Sequence, residues 1–153
     1  MIVQLDKLAE AGERFRGTLA PESLALVGDE GIECRGDLEY DLTLHLSGTE
    51  LSYRGQVELA VAFRCCRCAE FFDARVRESG LKGTKAVPET ANSADLTPEL
   101  REAMILAFPN YPACSTNCRG LCSQCGVNLN ESGCDCRPPT DDRWGALDQI
   151  SIE

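Results

Sequence analysis

Ten cysteines in 153 residues, six of them between Cys114 and Cys136, restrict this chain more than any other feature. Cys122 and Cys125 have the spacing of a zinc knuckle. Two intervening residues let both sulfurs turn onto one metal, and Gly126 relieves the turn. Cys134 and Cys136 supply a second pair after a short polar hairpin, Val127 to Gly133. Upstream lie Cys65 and Cys68, with Cys66 between them, and Cys114 and Cys118 are free to join that pair. The spacing favours two Zn²⁺ sites, each with four thiolates at about 2.3 Å in a tetrahedron. One is Cys65, Cys68, Cys114 and Cys118; the other is Cys122, Cys125, Cys134 and Cys136. Pairings in which Cys114 and Cys118 join Cys122 and Cys125 also satisfy the spacing.

A disulfide framework is the competing use of an even cysteine count, and it requires an oxidising compartment. The first residues, Met-Ile-Val-Gln-Leu-Asp-Lys-Leu-Ala-Glu, lack the basic-then-apolar order of a signal peptide. No apolar run approaches the roughly 18 residues of a membrane span. The expectation is a soluble, reduced, cytoplasmic protein in which clustered thiols mean metal or redox chemistry.

Charge divides the chain into three. The formal net charge is −10, so phosphate backbones repel the molecule as a whole. Residues 1–53 carry net −7 and residues 86–153 net −6, whereas residues 54–85 carry net +3. This basic island surrounds the first knuckle, with Arg64, Arg67, Arg75 and Arg77 as its candidate RNA or partner contacts and a solvated strand face as its plain use.

Read in order, residues 1–20 suggest a short helix followed by a strand. Leu24, Leu26 and Ile32 continue into sheet around a turn at Gly28 to Gly31. From Ile32 to Leu46 apolar residues fall on even positions, which predicts a strand with one buried face. Cys34 shares that buried parity and reads as a small core residue, whereas His45 has the exposed parity. After the turn Ser47 to Glu50, Leu51 to Phe63 alternate on odd positions and run straight into Cys65. A third strand, about Phe71 to Glu78, leaves the knuckle. Gly80 to Ala94 reads as a surface linker. Thr97 suits a helix N-cap and Pro98 the first helical position, with Leu96, Leu100, Ala103, Met104 and Ala107 as the packing stripe. Asp141 to Ile150 predicts a last short helix with Trp144, Leu147 and Ile150 on one face. The fold class is therefore α+β. A mostly antiparallel sheet body spans residues 1–112, with the Cys65/Cys68 knuckle and a helix over 97–108. A Cys-rich zinc-knuckle module spans 113–153.

Three blocks carry a family resemblance: Phe63-Arg-Cys-Cys-Arg-Cys-Ala-Glu-Phe-Phe72, the helix ending Ile105-Leu-Ala-Phe-Pro109, and Cys114-x-x-x-Cys118-Arg-Gly-Leu-Cys-x-x-Cys-Gly-x-Asn-Leu-Asn130 with Cys134-x-Cys136. Together they resemble the YceD family, the large ribosomal RNA subunit accumulation proteins. The resemblance covers most of the chain and implies a role in accumulation of large-subunit (23S) ribosomal RNA, hence in ribosome biogenesis. No enzymatic activity is established for that family. Cys66, an added thiol inside the knuckle, departs from the pattern, and the 80–94 segment is shorter and less acidic than expected.

Three functional classes compete. The first is a non-enzymatic, zinc-stabilised assembly factor that binds a ribosomal precursor, either RNA or a basic ribosomal protein. The second is a redox-regulated chaperone whose Cys cluster, above all Cys134-Asp-Cys136, releases metal on oxidation. The third, an enzyme acting on a small-molecule substrate, is disfavoured. Eight thiols close two sites, one histidine is present, and no phosphate loop or nucleophile elbow occurs.

Overall fold

The structure, a computed structural model, describes residues 1–9, 11–24 and 31–137. Two strands dominate it: β5 (Glu50–Arg64) and β6 (Phe71–Ala86), which form one long hairpin with the Cys65–Cys68 turn at its tip. On the other side of β5 lie β4 (Leu38–Ser47) and, further along, the short β3 (Ile32–Cys34); β2 (Glu13–Leu19) pairs with β4. Every pairing is antiparallel. A second, two-stranded sheet joins β1 (Ile2–Gln4) to β7 (Ser93–Asp95). One helix, α1 (Thr97–Ala107), packs against β5 and β6.

Alternation decides which face is buried. Leu42 and Leu44 on β4, and Leu51, Val57, Leu59, Val61 and Phe63 on β5, are buried in one core with Leu96 at the helix cap and Leu100 and Met104 of the helix. The helix contributes them at steps of four residues, one stripe of its surface. The α+β reading, mostly antiparallel sheet with one helix, agrees with this architecture. Cys34 is half-buried against the core and His45 is exposed.

Four local expectations are corrected. Residues 2–4 form a strand, not a helix; Met1, Val3 and Leu5 are buried while Ile2 faces solvent. The strand read from Ile32 to Leu46 is broken at Arg35-Gly36-Asp37. Its two parts keep the even parity because β5 steps from the Cys34↔Val61 pair to the Glu39↔Glu58 pair. Most of the expected linker is not a linker: β6 continues to Ala86, Val87 is buried, and residues 93–95 are paired. A β-bulge conceals this from periodicity. Val57 faces Glu78 but Gly55 faces Leu81, so β6 holds one extra residue and its inward parity flips from Val76 to Leu81 and Gly83. Finally, the helix begins at Thr97, with Leu96 as a cap residue that makes no side-chain cap bond, and the residue that takes the first helical N–H is Asp95. Its carboxylate accepts the Thr97 N–H at 2.9 Å and the Thr97 hydroxyl at 2.6 Å. Leu26, the turn over residues 28–30 and the terminal helix expected over 141–150 lie outside the described residues.

Candidate metal centres

Both Cys-x-x-Cys segments fold into the same turn. The Ala69 N–H donates to the Cys65 carbonyl at 2.9 Å, and the Gly126 N–H donates to the Cys122 carbonyl at 2.8 Å. In each, the N–H two residues on, from Arg67 or Gln124, donates to the first sulfur at 3.4 Å. The residue closing each turn is left-handed, with φ of 61° at Ala69 and 74° at Gly126. Glycine takes that conformation freely and alanine does not.

The turn at Cys65 sits at the tip of the β5–β6 hairpin, where the chain that leaves α1 passes over it. The Cys66 N–H donates to the Pro112 carbonyl at 2.8 Å. Arg67 reaches across, its guanidinium donating to the carbonyls of Thr116 at 3.1 Å and Cys118 at 3.3 Å. These contacts bring Cys114 and Cys118 onto Cys65 and Cys68. The Cys65 and Cys118 sulfurs lie 3.9 Å apart, and those of Cys68 and Cys114 3.8 Å apart. All four sulfurs fall within 4.8 Å of one another, as do those of Cys122, Cys125, Cys134 and Cys136. A regular tetrahedron with metal–sulfur bonds of about 2.3 Å has edges of about 3.8 Å. Both quartets could therefore hold a tetrahedral S₄ ion. Cys66 is exposed and belongs to neither quartet.

The first quartet spans the boundary expected at residues 112/113, with two thiols on each side. Cys65, Cys68 and Cys118 are buried there, whereas Cys125 and Cys136 of the second quartet are exposed. Burial alone would push the Cys65 thiol up, but N–H donation from Cys68, Cys114 and Arg67 brings it down to about 6. Hydrogen bonds from the Cys125 and Gln124 backbone bring Cys122 to about 6 as well. Sharing with the Cys118 sulfur pushes Cys114 up to about 12, and sharing with Cys125 does the same to Cys136. Each quartet thus mixes thiols that ionise readily with thiols that retain a proton. A divalent cation at its centre would take the place of those protons.

One coordinating neighbourhood was not legible as such. Asn130 ties its loop to the first quartet: its side-chain amide N–H donates to the Cys118 sulfur at 3.4 Å and to Asn128 Oδ1 at 2.8 Å, while its side-chain oxygen accepts from the Arg119 N–H at 2.8 Å. Gly120, at φ 76°, lets Arg67 and Leu129 close in from both sides, the Leu121 N–H on the Arg67 carbonyl and the Leu129 N–H on the Gly120 carbonyl. The Gly-x-Asn-Leu-Asn string was the available signal, without a role attached.

The four arginines expected to make contacts, Arg64, Arg67, Arg75 and Arg77, all have internal acceptors. Arg64 donates to the Ala69 carbonyl at 3.1 Å, Arg67 to the carbonyls above, Arg75 to Glu58 at 2.8 Å and Arg77 to Gln56. Arg64, Arg75 and Arg77 lie on the sheet face away from the helix.

The sequence model described as "Large ribosomal RNA subunit accumulation protein YceD" matches residues 53–151. The chain is 31% identical over 64 residues to the chloroplastic large ribosomal RNA subunit accumulation protein YCED homolog 1 of Arabidopsis thaliana, covering 41% of this chain and 20% of that protein. To the Zea mays homolog 1 it is 36% identical over 52 residues, covering 33% and 18%. An uncharacterized protein of Mycobacterium tuberculosis is 27% identical over 124 residues, covering 72% of this chain and 60% of that protein. The chain thus matches about a fifth of the length of its plant relatives. No solved structure matches it.

Proposed function

The chain belongs to the YceD family, and on that premise we propose that it is a non-enzymatic, zinc-stapled cytoplasmic factor that promotes accumulation of large-subunit ribosomal RNA. The observation that carries this reading is the pair of four-thiol quartets. Four thiolates saturate a tetrahedral Zn²⁺ and leave no open position for substrate, the arrangement of structural sites. In the first quartet the metal staples the chain after α1 to the β5–β6 hairpin, so its work is to hold shape. The partner is a ribosomal precursor: either RNA, met by the sheet face that carries Arg64, Arg75 and Arg77 with Arg67 at its end, or a basic ribosomal protein, met by the acidic remainder of the chain. No helix among the described residues is long and apolar enough to cross a membrane.

The deciding experiment deletes the gene and measures the ratio of large- to small-subunit ribosomal RNA. The ratio falls, wild type restores it, and Cys68→Ser does not. An unchanged ratio in the deletion strain refutes the reading. The exposure of Cys125 and Cys136 favours one second reading, a redox-regulated chaperone that loses metal from this quartet on oxidation. Oxidant-driven metal release coupled to suppression of client aggregation would identify it.

A further inference from the structure

The sheet face away from the helix carries a transverse row of directly opposed residues, Arg14, Thr43, Arg54 and Lys82, one from each of β2, β4, β5 and β6. Arg14 is committed: its guanidinium binds Asp41 through two bonds of 2.6 Å, and Arg16 takes the same carboxylate at 3.0 Å. Arg75 is held by Glu58, and Arg35 by Glu33 and Asp73. Arg54 and Lys82 are different. They face each other across β5 and β6, and among the described residues neither side chain has a hydrogen-bond or ion-pair partner. Like charges directly opposed on a sheet destabilise it. A chain with 25 acidic side chains has no shortage of carboxylates to place there. A local rule broken without an internal compensation points to an external partner.

The surface around the pair is concave. Two adjoining hollows of about 640 and about 490 Å³ share Thr43, Arg54 and Lys82, and form an open groove along the sheet. His45, Ser52 and Thr84 add polar side chains on the next row. The β6 bulge lies beside it, and bulges re-aim side chains beside functional sites. Resting on the ribosomal RNA reading above, we infer that this groove is a phosphate-binding track for a single-stranded RNA backbone, with Arg54 and Lys82 as its two charged contacts. An elongated, open hollow suits a strand better than one enclosed phosphate. The cations and hydroxyls on these rows position a backbone and do not read bases.

The test uses the full chain and a fluorescein-labelled oligouridylate, with anisotropy measured across a salt series. Each lost phosphate contact lowers the salt slope for a single strand by about 0.7, so Arg54→Gln/Lys82→Gln lowers it by about 1.4 and weakens binding about 25-fold at roughly 0.1 M salt. The melting temperature of this variant holds or rises, because opposed like charges are removed. A charge-matched control away from the sheet, Lys7→Gln/Arg137→Gln, leaves the slope unchanged. Equal binding and slope in wild type and the groove variant overturn the groove and leave the ribosomal reading intact. No binding by wild type also overturns it, and the ribosomal RNA ratio then decides the wider reading alone. Full displacement by inorganic phosphate at matched ionic strength would reveal a single-phosphate pocket, and polyglutamate binding as tight as RNA an acidic protein partner. Either result replaces the proposal.

Discussion

At the residue that closes each turn the two Cys-x-x-Cys segments differ by one carbon, and that difference sets a measurable asymmetry. Both turns close through the same hydrogen bonds, but the left-handed residue is Ala69 in one and Gly126 in the other. A Cβ in the left-handed region costs about 1–2 kcal/mol. Replacing Ala69 with glycine removes that cost, adds about 0.4–1 kcal/mol of unfolded-state freedom, and loses a half-buried methyl of about 0.4 kcal/mol. The net for Ala69→Gly is a gain of about 0.5 kcal/mol, a rise of about 1–2 °C in melting temperature for a chain of this size. The converse, Gly126→Ala, meets nothing within 4 Å, so its cost is conformational alone. Strain less the entropy term leaves a loss of about 0.5–1 kcal/mol, or roughly two- to five-fold in metal affinity at the second quartet. Thermal melts followed by circular dichroism read the first variant, and chelator competition on the zinc-loaded chain reads the second. Destabilisation by Ala69→Gly together with unchanged affinity in Gly126→Ala would refute the shared-turn reasoning, because the left-handed residue would then carry no cost.

Asn130→Asp sets a carboxylate against the Cys118 sulfur in place of an N–H donor, and is expected to lower metal affinity at the first quartet about 10–100-fold, read by chelator competition. Gly55→Ala drives a Cβ into the Asp41 carbonyl at φ 156°, and with backbone on both sides it costs more than about 3 kcal/mol; loss of a cooperative melt checks it. The Asp95 carboxyl is held below its ordinary value first by the Thr97 hydroxyl, then by the Thr97 N–H. Its folded pKa is depressed, so its contribution is present above the unfolded value and lost as pH falls below about 4. Asp95→Asn should therefore flatten the acid limb of stability against pH in that window.

The long strands were readable because a sheet with one buried face writes its parity into the chain. Leu42, Leu44, Leu59 and Val61 fall on the faces that alternation assigned. Where the reading failed, the missing information was held by a distant partner. Ile2 and Leu5 suggested a helix because the segment that pairs with them is distant in the chain: Ile2 lies opposite Asp95, and the Leu5 N–H donates to the Asn92 carbonyl. The second half of β6 looked like linker because a bulge reverses parity and because Gly83 lies under the Tyr53 ring, leaving no apolar side chain to count. Thr97 is the first helical residue and not the cap because Asp95 takes both of its donors. For the thiols, spacing within each pair is local and legible. Which pairs meet depends on Arg67, Pro112 and Asn130, contacts that no spacing rule contains.

The staple at the hairpin tip also carries a timing consequence. Cys114 follows Cys68 by 46 positions. A ribosome adding about 5–20 residues per second releases it about 2–9 s later. Once β6 has followed, and until Cys114 and Cys118 emerge, the β5–β6 hairpin holds only two thiols of a four-thiol set. Closure of the first quartet is therefore a late event in biosynthesis, one that reports that the sheet, the helix and the strap beyond it have all emerged.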